Sequence, residues 1–278
     1  GLELPEDIEG ILSRTKVRLE QGRASHEDCA PLLYLKLRVE GSDLFPEIRH
    51  VVIDEAQDYL PMQYEVFRLL FKDARYTVLG DVCQAVEKNA DESLYEVVAD
   101  VFATKKTAKL FLNRSYRSSY EINAFAQRLL DREQTIVPFE RHAEEPTVIR
   151  QESLESMDSA IAHDIAHYLE QGYASVAVIC KTQDEAERTH ARLKNLADVK
   201  LVDTNDGEIL KGAVVIPSYA AKGLEFDVVI VYGVGKDNYS SEFDKKLLYI
   251  ACTRALHRLA LYHTGERSPF VSSPGGGK

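Results

Sequence analysis

Two carboxylates stand side by side at the end of an apolar run in Val51-Val52-Ile53-Asp54-Glu55-Ala56-Gln57-Asp58. In an open α/β sheet, ligands bind outside the carboxyl ends of the strands, so acids placed there face a ligand crevice. One of the pair can hold Mg²⁺, a hard cation that takes oxygen ligands together with substrate phosphates. Its neighbour can accept a proton from a water attacking a phosphoryl group. An acidic turn closing a core strand would carry the same two residues, and Asp-Glu alone does not separate the readings.

Four further segments carry chemistry of a related kind. Val78-Leu79-Gly80-Asp81-Val82-Cys83-Gln84 is a second strand end, with a glycine for a tight turn and two polar side chains beyond it. Asn113-Arg114-Ser115-Tyr116-Arg117-Ser118-Ser119 joins a strand to a helix with serines suited to capping. There Arg117 can neutralise charge on a transferring phosphoryl group, and Tyr116 can stack on a base; a solvated arginine at a helix start is the plainer alternative. Ala221-Lys222-Gly223-Leu224-Glu225-Phe226-Asp227 leads into another apolar strand. Leu247 to Ala255 reads as a helix that presents Arg254 from a face other than its buried one, or as a helix whose surface arginine pairs with a local acid.

These segments need a scaffold, and the pattern supplies one. Strand candidates at 51–53, 76–79, 110–112, 147–149, 176–180, 213–216, 228–232 and 259–262 alternate with helical stretches at 62–71, 93–102, 119–130, 158–169, 185–196 and 245–255. Near-continuous apolar strands are buried on both faces, as in parallel sheets covered by helices, so the class is α/β. The number of elements exceeds what one sheet takes, which predicts a domain junction near Asn113. Residues 1–45 read as mostly helical and polar.

With 278 residues, 45% hydrophobic and 28% charged, the chain has globular composition. Its net charge of −11 argues against a protein that coats nucleic acid through phosphate contacts. The 4 cysteines lack zinc-clip spacing and read as isolated thiols of a reducing compartment; no apolar run is long enough to span a membrane, and no secretory signal opens the chain. The expected setting is the cytoplasm.

In order, the five segments resemble motifs II to VI of the UvrD/Rep-like superfamily 1 helicases: Asp-Glu-x-Gln-Asp, Gly-Asp-x-x-Gln, Tyr-Arg-Ser, Lys-Gly-Leu-Glu-Phe-Asp and Thr-Arg-Ala. The resemblance implies two RecA-like lobes with mostly parallel sheets, the C-terminal part of lobe 1 over residues 1–112 and lobe 2 over 113–278. It implies ATP and Mg²⁺ as cofactors, with Asp54 as the metal ligand and Glu55 as the general base. It further implies Gln84 as the γ-phosphate sensor, Tyr116 stacked on adenine, Arg117 and Arg254 as arginine fingers, and Gly223 and Glu225 in the nucleotide site, Glu225 on the ribose. DNA would be the partner of the intact motor.

The chain departs from that pattern in three ways. No Gly-x-x-x-x-Gly-Lys-[Ser/Thr] loop occurs, and the terminal Gly-Gly-Gly-Lys lacks its spacing. Family order places that loop upstream of motif II, so the expectation is a first lobe that is incomplete here and a chain that by itself binds ATP weakly without turnover. Lys222 follows Arg117 by 105 positions, too few for a large inserted domain. Gln84 is followed by no aromatic and the chain has 0 Trp, which removes base-stacking worth roughly 1–3 kcal/mol per base. The segments 27–36 and 253–259 are most similar to the HelD (helicase IV-like) branch, which implies RNA polymerase as a partner. A catalytically inactive RecA-like pair serving as a protein-interaction module is the alternative from another class, and a conventional DNA-unwinding enzyme is a third.

Overall fold

The computed structural model describes residues 6–81, 93–102, 107–112, 114–130, 137–138, 141–202 and 211–271. The chain divides into two compact units, Gly1–Lys109 and Leu110–Lys278.

In the first unit, α1 (Ile8–Glu20) and α2 (His26–Glu40) precede β1 (His50–Ile53), α3 (Pro61–Leu70), β2 (Arg75–Val78) and α4 (Ser93–Phe102). Strands β1 and β2 pair in parallel, His50 opposite Arg75 and Ile53 opposite Val78. Alternation along these strands sends Ile53, Tyr76 and Val78 to the side where Tyr64 and Phe67 of α3 and Val98 of α4 pack. Val52 and Leu79 point the other way and stay exposed, Val52 at 62%. The expectation that these strands are buried on both faces therefore fails here: the described helices cover one face only.

The second unit opens with β3 (Arg114–Ser115), α5 (Tyr120–Arg128), β4 (Val137–Pro138) and β5 (Thr147–Gln151). It continues through α6 (Leu154–Glu170), β6 (Ser175–Cys180), α7 (Gln183–Leu193), β7 (Val199–Leu201), β8 (Gly212–Pro217), β9 (Phe226–Val231), α8 (Glu242–Cys252) and β10 (Ala255–Thr264). Six strands form a parallel sheet in the order β5-β10-β9-β6-β8-β7. The central strands β6, β8 and β9 are the most apolar, and almost every residue in them is buried. Each fully buried valine or isoleucine contributes about 1.5–3 kcal/mol, so this sheet is the main apolar anchor of the second unit. Hydroxyl caps start the covering helices. Ser119 accepts the Ile122 N–H, Thr182 that of Glu185 and Ser241 that of Asp244, while Ser153 and Ser156 cap α6 reciprocally.

Leu110–Leu112, expected as a strand, is irregular and exposed. No strand among the described residues pairs with it, and without a ladder an apolar run has no reason to extend. Cys29 is exposed, Cys180 and Cys252 are buried, and all three are free; Cys83 lies outside the described residues. Among the described residues no helix is long and apolar enough to cross a membrane.

Candidate nucleotide-site residues

At the end of β1 the backbone makes an abrupt turn. The Asp54 Oδ1 accepts the Glu55 N–H at 2.8 Å. Glu55 then adopts φ 50°, ψ 43°, and among the described residues no other non-glycine has positive φ. That left-handed conformation costs an L-residue about 1–2 kcal/mol, and such strain persists where surrounding contacts over-determine the turn. The contacts are visible. The Ala56 N–H donates to the Leu79 carbonyl at 2.9 Å and the buried Tyr64 hydroxyl donates to the Ala56 carbonyl at 2.5 Å. Burial raises the Tyr64 pKa above the ordinary phenol value, which keeps it a donor.

Gln57, also buried, spans the ends of both strands. Its Nε2 donates to the Glu55 Oε2 at 2.5 Å, and its Oε1 accepts the Asp81 N–H at 2.9 Å. Gly80 is the residue that makes room: a Cβ there would sit 2.6 Å from Gln57 Oε1 and 2.9 Å from the Tyr95 hydroxyl. Thus Asp54, Glu55 and the Gly80-Asp81 turn, far apart in sequence, meet at one sheet edge. Gln84, expected there as well, lies outside the described residues.

The other predicted residues belong to the second unit, around the starts of β9 and β10. Arg117 Nε lies 2.5 Å from Glu225 Oε1, with both side chains about two-fifths exposed at 42% and 43%. The Arg117 segment is pinned from behind. The buried Ser118 hydroxyl donates to the Ala255 carbonyl at 2.6 Å, and the Arg141 guanidinium donates to the carbonyls of Arg117 and Leu256. Tyr116 is exposed. Gly223 has φ +80° with nothing within 4 Å of where a Cβ would be, so glycine serves the turn's conformation rather than space.

Arg254 departs from its expected placement. It follows α8 rather than lying in it, and its side chain is 0% exposed. The guanidinium donates to the Ile250 carbonyl at 3.2 Å, the Leu224 carbonyl at 3.4 Å and the Thr253 hydroxyl at 3.1 Å. Backbone bonding from the Phe226 N–H to the Arg254 carbonyl, 3.0 Å, closes the same junction. Arg254 therefore braces the turn that carries Glu225.

Two groups were not singled out from sequence. Asp227, the last residue of the Lys-Gly-Leu-Glu-Phe-Asp run, accepts the N–H groups of Ala174 and Ser175 at 2.6 and 3.1 Å, tying β6 to β9. The buried Asp158 accepts from Arg192 at 2.6 Å and from the Tyr232 hydroxyl at 2.8 Å, locking α6, α7 and the end of β9. Nothing in the local pattern announces either role, because each partner is remote in sequence. A cleft of about 720 Å³ opens beside Tyr173, Asp227 and Arg258, and none of the sequence-predicted site residues lines it.

Comparison with known proteins follows the same division. Residues 39–88 match the UvrD/REP helicase N-terminal domain family, and residues 212–262 match the UvrD-like helicase C-terminal domain family. The crystal structure of the C-terminal domain of a possible DNA helicase from Lactobacillus plantarum WCFS1 is 31% identical, with TM-score 0.50, over 57% of this chain and 92% of that one. The chain belongs to the UvrD/Rep-like helicase family. A probable DNA helicase of Mycoplasma pneumoniae is 25% identical over 80% of this chain. The chain spans 44% of that curated relative's length.

Proposed function

We propose that this chain is a motor portion of an ATP-dependent superfamily 1 DNA helicase or translocase, residues 1–112 forming part of a first RecA-like lobe and 113–278 the second. The observation that carries the reading is the gathering of Arg117, Glu225 and Arg254, drawn from three separate motifs, around one turn of the second unit. A scaffold without catalysis has no need for that set alongside Asp54 and Glu55.

In this reading Glu55 accepts the proton of the attacking water, and Arg117 places a fixed positive charge against the transferring phosphoryl group. Gln84 orients the γ-phosphate, Tyr116 stacks on the adenine, and Gly223 and Glu225 contact the ribose side. Arg254 acts as the second arginine or through the turn it braces. The Asp54 carboxylate fits a magnesium ligand: it is an exposed hard-oxygen donor at a strand end, with one oxygen engaged by the Glu55 N–H. Mg²⁺, when bound, neutralises phosphate charge.

We assign the motor to the HelD-like branch, with RNA polymerase as a working partner in the cytoplasm. Support comes from the segments 27–36 and 253–259, the net charge of −11 and the lack of an aromatic after Gln84. The test uses the full-length protein. Glu55→Gln is expected to bind ATP as wild type does and to lose turnover, and equal turnover would remove Glu55 as the base. Purified RNA polymerase is expected to retain the protein on a column while a fluorescent single-stranded oligonucleotide binds weakly. Tight, salt-sensitive oligonucleotide binding with no retention would instead favour a conventional DNA helicase.

A further inference from the structure

The two hydrogen bonds of Gln57 have a fixed polarity. A carboxylate can only accept and a backbone N–H can only donate, so the amide must turn its nitrogen to Glu55 and its oxygen to Asp81. The side chain is buried, and Gly80 presses on it from the second strand's end, where no larger residue fits without moving Gln57 Oε1. Glu55 itself adopts a left-handed backbone conformation between the strand end and the turn that carries Gln57.

From this geometry we propose that Gln57 is a positioning residue that aims the Glu55 carboxylate and slaves its orientation to the Gly80-Asp81 turn. The proposal rests on the reading of Glu55 as general base. Any shift of Asp81 moves the amide oxygen, and the amide, being rigid and planar, carries the Glu55 carboxylate with it. The end of β2 thereby governs whether the base is aligned. A misplacement of about 1 Å in a reacting group costs on the order of a hundredfold in rate.

The experiment measures steady-state ATP turnover by the full-length protein with Mg²⁺, for wild type, Glu55→Gln, Gln57→Met, Gln57→Glu and Gly80→Ala. Gln57→Met keeps the volume and loses both bonds. Gln57→Glu keeps the acceptor for Asp81 and loses the donor to Glu55. Gly80→Ala leaves Gln57 in place chemically but displaces its oxygen. All three are expected to lower kcat by about a hundredfold with KM for ATP within about twofold of wild type, the signature of a lost transition-state interaction. Gln57→Met with wild-type kcat, beside an inactive Glu55→Gln, overturns the proposal alone. So does Gln57→Glu with wild-type kcat, which would confine Gln57 to holding Asp81. A parallel rise in KM and fall in melting temperature marks a merely structural role and also overturns it. Full activity of Glu55→Gln overturns both the proposal and the reading beneath it.

Discussion

Arg117 and Glu225 form an ion pair with 2.5 Å between Nε and Oε1, although more than a hundred residues separate them along the chain. An exposed pair of this kind contributes at most about 1 kcal/mol to stability. In the proposed reading its value lies in holding a guanidinium at a fixed point. In the full-length protein, Arg117→Ala should therefore leave the thermal midpoint almost unchanged while lowering ATP turnover roughly a thousandfold. Arg117→Lys should not restore it, since an ammonium lacks the planar fork. Steady-state kinetics and a melting curve on the same preparations check both halves.

Arg254→Ala, unlike Arg117→Ala, should cost stability. Removing a wholly buried guanidinium leaves a cavity and strips the Ile250 and Leu224 carbonyls of a partner. A loss of about 2–4 kcal/mol in unfolding free energy is expected. Urea denaturation followed by circular dichroism measures it, and a change below about 0.5 kcal/mol would mean that the brace is dispensable.

The Glu55 backbone offers a third test. Glu55→Gly and Glu55→Ala both delete the carboxylate, yet only glycine is comfortable at φ 50°. The glycine variant should be the more stable by about 1 kcal/mol, with neither supporting ATP turnover in the full-length protein. Equal midpoints in urea would show that the left-handed turn carries no strain.

Acid should weaken the second unit through Asp244. Burial alone would raise its pKa, but the Lys181 ammonium at 2.5 Å and the N–H groups of Ser241 and Ser240 outweigh burial and hold it at about 2. A carboxyl depressed on folding stabilises above its unfolded value of 3.8, and that stability is lost as pH falls toward about 2. Unfolding free energy measured from pH 6 to pH 2 should show this fall, and Asp244→Asn should flatten part of it. An unchanged slope in the variant would sink the assignment.

What the sequence made legible is the buried parallel sheet and the five motifs. The runs at 176–180, 213–216 and 228–232 are apolar at every position because both faces are covered, and no alternation competes with that signal. The same rule misread Val52 and Leu79, because it says that a strand is apolar without saying whether a second layer of helices exists to cover it. Leu110–Leu112 failed for a related reason: strand propensity is a statement about side chains, and pairing is a statement about neighbours. Among the site residues, types and order were readable, whereas the interior position of Arg254 was not. An arginine after an apolar helix looks like a surface residue until the carbonyls that receive it are brought near by the fold. Gln57 was visible as a letter in a motif, but its two bonds depend on the pairing of β1 with β2.

The Asp227 carboxylate, clasping the amides of Ala174 and Ser175, joins the starts of two central strands that already share a ladder. Load applied at Glu225 therefore enters a stiff beam rather than a loop. It runs the length of β9, about 20 Å for six residues, to the corner where Asn238 is gripped by Glu185 and Lys181. Packed interiors of this density compress little, so the two ends of β9 are tied into one stiff block.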